Sequence, residues 1–246
     1  MIYSAAEQKK IKANGAILRQ ILEALRAAVK VGVTGKELNA LAEKMIADAG
    51  AKPAFKGYGQ PPFPTALCVS INDAVIHGIP NDQPLKAGDI ISLDLGVNYQ
   101  GYFTDSAVTI AVGEISAEAQ KLLRLTQEAL DLYISHLRPG KKLGDGGQAV
   151  ERLITKNRLG LVRDYCGHGV GRQVHEEPSI PNFGRAGNGP LLEAGMVLAI
   201  EPMVTLGSGE TRVADNQWDV VTADGTLAAH FEHTVIITAD GAEIVT

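Results

Sequence analysis

Three stretches in the second half of this chain repeat three stretches of the first half, in the same order, and this duplication limits the possible folds more than any other feature. Val33–Ile46 resembles Lys141–Ile154 loosely, at an offset of 108. Leu67–Pro80, LCVSINDAVIHGIP, lies over Tyr165–Pro178, YCGHGVGRQVHEEP, at an offset of 98, so that Cys68 meets Cys166, His77 meets His175 and Pro80 meets Pro178. Leu85–Val97, LKAGDIISLDLGV, lies over Leu192–Val204, LEAGMVLAIEPMV, at an offset of 107, which puts Asp94 on Glu201. Such self-similarity describes two copies of one unit facing each other. A site between the copies would draw side chains from both.

Each copy reads as helices followed by strands. Ser4-x-x-Glu7 and Thr34-x-x-Glu37 have the form of capping boxes, in which a hydroxyl and a carboxylate satisfy the first free amides of a helix. Behind them apolar residues recur at the three-and-four spacing of one helix face, at Ile17, Ile21 and Leu25 and then at Leu38, Leu41 and Met45. From Leu67 to Val112 short β-rich runs take over, notably IISLDLGV and YFTDSAVTIAV, broken by Gly, Pro and Asn. Helical pattern returns over Ser116–His136 and Gly147–Asn157, and strand pattern from Met196 to the end.

Composition narrows the partners. Hydrophobic residues make up 45% and charged residues 21%, the balance of an ordinary globular protein. The formal net charge of -5, with no run of Lys or Arg, argues against direct binding of nucleic acid. Met1–Lys30 mixes charges throughout and offers no apolar stretch for a signal peptide or membrane span, so a cytoplasmic protein without membrane contact is expected. The two cysteines, Cys68 and Cys166, allow at most one disulfide and would stay thiols in a reducing compartment.

The acids carry the chemistry. Asp94 and Asp105 lie on two strand-like runs separated by Asn98-Tyr-Gln-Gly101, which reads as a hairpin loop. With that loop centred between Tyr99 and Gln100, Asp94 faces Asp105 directly. Like charges so opposed are destabilising, and two carboxylates at about 5 Å resist ionising together. Asp94 is flanked by Leu93 and Leu95, so water is a weak remedy and a divalent cation a better one. The repeat adds Glu201, and Glu232 in AAHFEHTVII is a fourth acid in a β-rich run. His168, between glycines in Gly167-His-Gly-Val-Gly171, stands where the other copy has Ser70 and adds a nitrogen donor. Four acids and one imidazole suit two ions of Co, Mn, Fe or Zn better than Ca. A lone strand Asp is commonly a satisfied edge or turn residue, but five polar groups in apolar strands would each need a separate partner. His136 and His230 read as surface or structural residues.

The motifs Asn72-Asp-Ala-Val-Ile-His77-Gly-Ile-Pro, Asp94 with Asp105, Gly167-His168-Gly-Val-Gly-Arg, Glu201-Pro-Met and Glu232-His-Thr closely resemble those of the type I methionine aminopeptidases, in order and spacing, from about Ala5 to Thr246. The resemblance implies a single catalytic domain over 1–246 with the α+β pita-bread fold, pseudo-repeats over about 5–112 and 116–246, and helices covering a central curved sheet. It implies Asp94, Asp105, His168, Glu201 and Glu232 as ligands of two metal ions, with Glu201 also relaying a proton. His77 would contact the leaving side of the scissile amide and His175 would polarise its carbonyl. Tyr58, Phe63, Cys68 and Trp218 match the family's apolar methionine pocket, and Asp224-Gly225 reads as a hairpin turn bringing the strand of Trp218 beside that of Glu232. The implied activity is removal of the initiator methionine from nascent chains when the second residue is small, by a cytoplasmic monomer in transient contact with the ribosome. A proline-directed peptidase shares the ligands but usually carries a large N-terminal domain. A catalytically dead binding protein of the same fold would generally have lost ligands.

Overall fold

Both capping boxes form in the computed structural model, which describes residues 1–246. Ser4 and Thr34 each accept from the amide of the Glu three residues on, and each Glu carboxylate accepts from the cap amide at 2.9 and 2.8 Å. They open α1 (Ala5–Ala28) and α2 (Gly35–Asp48). Five strands follow, β1 (Lys52–Pro53), β2 (Leu67–Ile71), β3 (Ala74–Ile76), β4 (Ile90–Tyr99) and β5 (Tyr102–Ala111). Then come α3 (Ala117–Ser135) and α4 (Leu143–Lys156). The remainder is β6 (Gly160–Leu161), β7 (Gly167–Gly169), β8 (Glu176–Ile180), β9 (Val197–Ile200), β10 (Met203–Thr205), β11 (Thr211–Val213), β12 (Val220–Thr222), β13 (Ala228–His230), β14 (Glu232–Ile237) and β15 (Ala242–Ile244). The last helix starts four residues before the sequence pattern suggests, because glycines in its first turn mask it. They are needed there, since a Cβ on Gly146 would stand 2.6 Å from the Tyr133 ring. No helix is long and apolar enough to cross a membrane.

Nine strands make one antiparallel sheet in the order β1-β4-β5-β14-β9-β7-β8, with β2 also on β4 and β15 on β14. Two three-stranded sheets, β13-β10-β6 and β11-β12-β3, flank it. The duplication extends to register. Helices α2 and α4 have equal length and are displaced by 108 residues, and shifting the pair Cys68↔Asp94 by the two sequence offsets lands on the His168↔Ala199 register of β7 and β9.

Strand alternation divides the sheet into two faces. Leu93, Leu95 and Val97 of β4 are buried with Leu18, Ile21, Leu25, Leu38 and Ile46 of α1 and α2. Leu198, Ile200, Val235 and Ile237 are buried with Leu122, Leu130, Val150 and Ile154 of α3 and α4. Each of these side chains contributes about 1.5–3 kcal/mol by leaving water. The helices thus take one face, and the residues in between, Asp94, Asp105 and Glu232 among them, point from the other.

The β4–β5 hairpin corrects one expectation. Its loop is centred between Gln100 and Gly101, whose φ values of 54° and 81° make the two-residue turn that matches strand twist. Tyr99 therefore pairs with Tyr102, Gly96 with Asp105 and Asp94 with Ala107. Asp94 and Asp105 are diagonal neighbours on one face rather than directly opposed.

Candidate metal centre

The registers build the site in two rows. Cys68↔Asp94, Asp94↔Ala107 and Ala107↔Glu232 cross β2, β4, β5 and β14, and Glu201 continues the line, following the Ile200 that pairs with His233. Two residues along, Gly96↔Asp105 and Thr234↔Ala199↔His168 form the second row. It is closed by the Asp105 amide donating to Thr234 Oγ1 at 2.9 Å and that hydroxyl donating to the Asp105 carbonyl at 2.8 Å. Between β5 and β14 only two residue pairs are in register, Glu232↔Ala107 and His233↔Ser106. Hydroxyls extend the join, with Ser106 Oγ donating to the Glu232 carbonyl at 2.7 Å and Thr109 Oγ1 to that of His230 at 2.8 Å.

One cavity of about 220 Å³ is lined by all eleven residues singled out in the sequence: Asp94, Asp105, His168, Glu201 and Glu232, together with Tyr58, Phe63, Cys68, His77, His175 and Trp218. The four acids are each less than a tenth exposed. One donor atom each from Asp105, His168 and Glu232 falls within 4.8 Å of the others, and Glu201 Oε1 lies 3.4 Å from His168 Nε2.

Burial dominates the electrostatics. It pushes the carboxyls of Asp94, Glu201 and Glu232 far above the usual range, each raised further by the neighbouring acids. Asp105 rises to about 7, again through burial. Burial, then His175, lowers His168 to about 3 and His77 to about 4. The neutral His168 donates from Nδ1 to the Gly169 carbonyl at 2.9 Å, which leaves the Nε2 lone pair toward the acids. Asp94 Oδ1, Asp105 Oδ1 and Glu232 Oε1 are buried with no hydrogen-bond partner. Unpartnered buried oxygens of this kind are costly, and oxygens with one imidazole nitrogen are the donors a first-row divalent cation takes. The residues fit such an ion.

The other end of the cavity is aromatic. Phe63 and Trp218 meet edge to face with centroids 5.1 Å apart, and His77 stands edge-on to Trp218 at 6.2 Å. Gly59, at φ 80°, lets the chain pass the indole, where a Cβ would come within 2.6 Å of it. His77 itself holds φ 59°, and the next turn is fixed by the Ile79 amide donating to Asp219 Oδ1 at 2.9 Å. His175, at the mouth, is 2.9 Å from the Tyr58 hydroxyl through Nδ1, and its ring lies 4.4 Å from that of His168.

Trp218 arrives by a different route from the one expected. Strand β12 pairs with β11 and β3, while β13 pairs with β10, so Asp224-Gly225 joins no hairpin between them. The Asp224 carboxylate instead accepts from Ser208 and Thr226 amides, and Trp218 sits on the β11–β12 loop, its amide donating to Asn216 Oδ1. The cysteines are free thiols, and both line the cavity. Sequence reasoning missed Ile76, Tyr165 and Ser179 as lining residues. It also missed His230, which is 1% exposed with Nε2 3.5 Å from Glu201 Oε2. Counting back by two from Glu232 would have put it on the same face.

Residues 9–239 match metallopeptidase family M24. The chain belongs to that family. It is 48% identical to a methionine aminopeptidase of Clostridium perfringens over 94% of this chain and 92% of that one. The crystal structure of a methionine aminopeptidase from Thermotoga maritima superposes with a TM-score of 0.97 at 41% identity, covering 100% of this chain and 98% of that one. A prolidase from Pyrococcus furiosus shares the fold at 24% identity and a TM-score of 0.80, but this chain spans only 65% of it. As an M24 metallopeptidase with this cluster, the chain is a metal-dependent hydrolase.

Proposed function

We propose that this M24 enzyme is a methionyl aminopeptidase, removing the initiator methionine from nascent proteins and Met-initiated peptides when the second residue is small. The observation that carries the reading is the continuity of one cavity from a floor of four buried acids and His168 to an aromatic end at Phe63 and Trp218. Relatives with 41–48% identity that carry that name support it.

Asp94, Asp105, His168, Glu201 and Glu232 would hold two divalent ions, of Co, Mn, Fe or Zn. When bound, such ions neutralise the acids, acidify water and polarise a carbonyl. The side chains do the rest. Phe63, Trp218, Tyr58 and Cys68 take the substrate's methionine, a polarizable thioether suited to aromatic walls. Glu201 accepts the proton of the attacking water at a carboxylate oxygen and passes it to the leaving amine. His175 donates to the carbonyl oxygen as charge develops there, and His77 hydrogen-bonds the amide on the leaving side. Burial keeps both rings neutral at pH 7, so each can donate from one nitrogen while accepting at the other. We assign the enzyme to the cytoplasm, as a monomer in transient contact with the ribosome, because nascent chains are its substrate.

The test is a panel of Met-Ala-Ser, Met-Pro and Ala-Pro peptides with added Co or Mn. Release of Met from the first and none of Ala from the third is expected. Cleavage confined to peptides with proline in second position would instead make the enzyme a proline-directed peptidase.

A further inference from the structure

His230 is a fully buried imidazole with neither nitrogen hydrogen-bonded. A buried donor or acceptor left without a partner destabilises a fold, so a leucine would serve better if this position only filled space. The ring is held by its backbone, whose amide donates to Thr109 Oγ1 at 2.9 Å and whose carbonyl accepts from the same hydroxyl. Nε2 stops 3.5 Å from Glu201 Oε2. The opposite carboxylate oxygen, Oε1, is 3.4 Å from His168 Nε2, and the Glu201 carbonyl accepts from Asn182 Nδ2 at 3.0 Å. Glu201 is therefore fixed at the backbone by Asn182 and approached at the carboxylate from two sides, but His168 must keep its Nε2 lone pair free because its proton is on Nδ1. Of the two imidazoles, only His230 can offer the carboxylate a hydrogen.

We propose that His230 is a positioning residue for Glu201: as the Nε2–H tautomer it donates to Oε2 and aims the other oxygen at the metal. It does not line the cavity. The inference rests on the metal site proposed above and deepens it.

Isothermal titration of metal-free protein with Zn or Mn reads the effect apart from turnover. His230→Leu is expected to weaken metal binding about tenfold or more, as loss of a group supporting a ligand does. The same substitution should leave the thermal midpoint of metal-free protein unchanged or higher, because two unpartnered atoms are removed. His230→Gln, which restores an N–H donor, should bind within about threefold of wild type. In wild-type protein loaded with Zn, long-range ¹H–¹⁵N correlation should show the His230 proton on Nε2. Leu and wild-type proteins binding metal equally, Leu and Gln variants equally weakened, or a proton on Nδ1 would each overturn the assignment. Wild-type protein that binds no metal would instead overturn the metal site itself.

Discussion

Asp94 stands between two leucines that face the helices, with one carboxylate oxygen buried and unpartnered. Such a residue does little for the fold unless a cation answers it. Asp94→Ala is therefore expected to lower bound metal, measured by elemental analysis, and to reduce turnover of Met-Ala-Ser below detection, while far-ultraviolet circular dichroism stays unchanged. On the proposed reading His175 acts on the substrate rather than on the metal, so His175→Ala should keep its metal and lose about 10²–10⁴-fold in kcat. Retained turnover in either variant would contradict the role assigned to that side chain. The residues legible in sequence were those whose type clashed with their surroundings, acids in apolar strands above all. Ile76 was not, because an aliphatic in a strand announces nothing: it lines the cavity where β3 pairs with β12, and that pairing exists only after the chain closes.

Turns decide how the elements meet, and it is there that the sequence was hardest to read. The helix caps and strand runs follow from local chemistry, whereas the β4–β5 register depends on which two residues accept left-handed backbone. From sequence the turn is centred on Tyr99 and Gln100. Asn98 instead accepts from the Gly101 amide at 3.2 Å, leaving Gln100 and Gly101 to turn. Gly101→Val should cost on the order of 1–2 kcal/mol in denaturant unfolding and, by disturbing the strand end four residues from Asp105, also weaken metal binding. The loop carrying Tyr58 obeys the same constraint. Gly59→Ala adds a methyl against the Trp218 indole at a backbone angle that only glycine takes easily. KM for Met peptides should rise severalfold with metal content unaltered. The route of Trp218 to the cavity was likewise not legible, since Asp-Gly signals a turn without saying which strands it serves.

Over the whole molecule, the buried acids make stability depend on pH and metal together. In metal-free protein Asp105 titrates at about 7, against about 3.9 in an unfolded chain. Below pH 4 both states keep the proton. Between about 4 and 7 only the unfolded chain gives it up, so stability falls as pH rises through this window and levels off above it. The raised carboxyls of Asp94, Glu201 and Glu232 push in the same direction. Metal-free protein should thus melt at a lower temperature at pH 8 than at pH 5. Asp105→Asn should remove part of that loss, and metal-saturated wild type should show little of it. A metal-free midpoint that climbs with pH would mean that the acids are solvated.

The narrow join between β5 and β14 gives the metal a second duty. With two residue pairs and a few hydroxyls spanning it, this join is weak beside the other ties between the halves, the pairing of β3 with β12 and the packing of Tyr3 and Ile11 on Val170, Val197 and Ile236, and acids crowd both of its banks. A cation lodged there works as a rivet. A cell starved of the ion would then lose more than turnover: with its acids unanswered, this edge of the sheet would be the first to loosen.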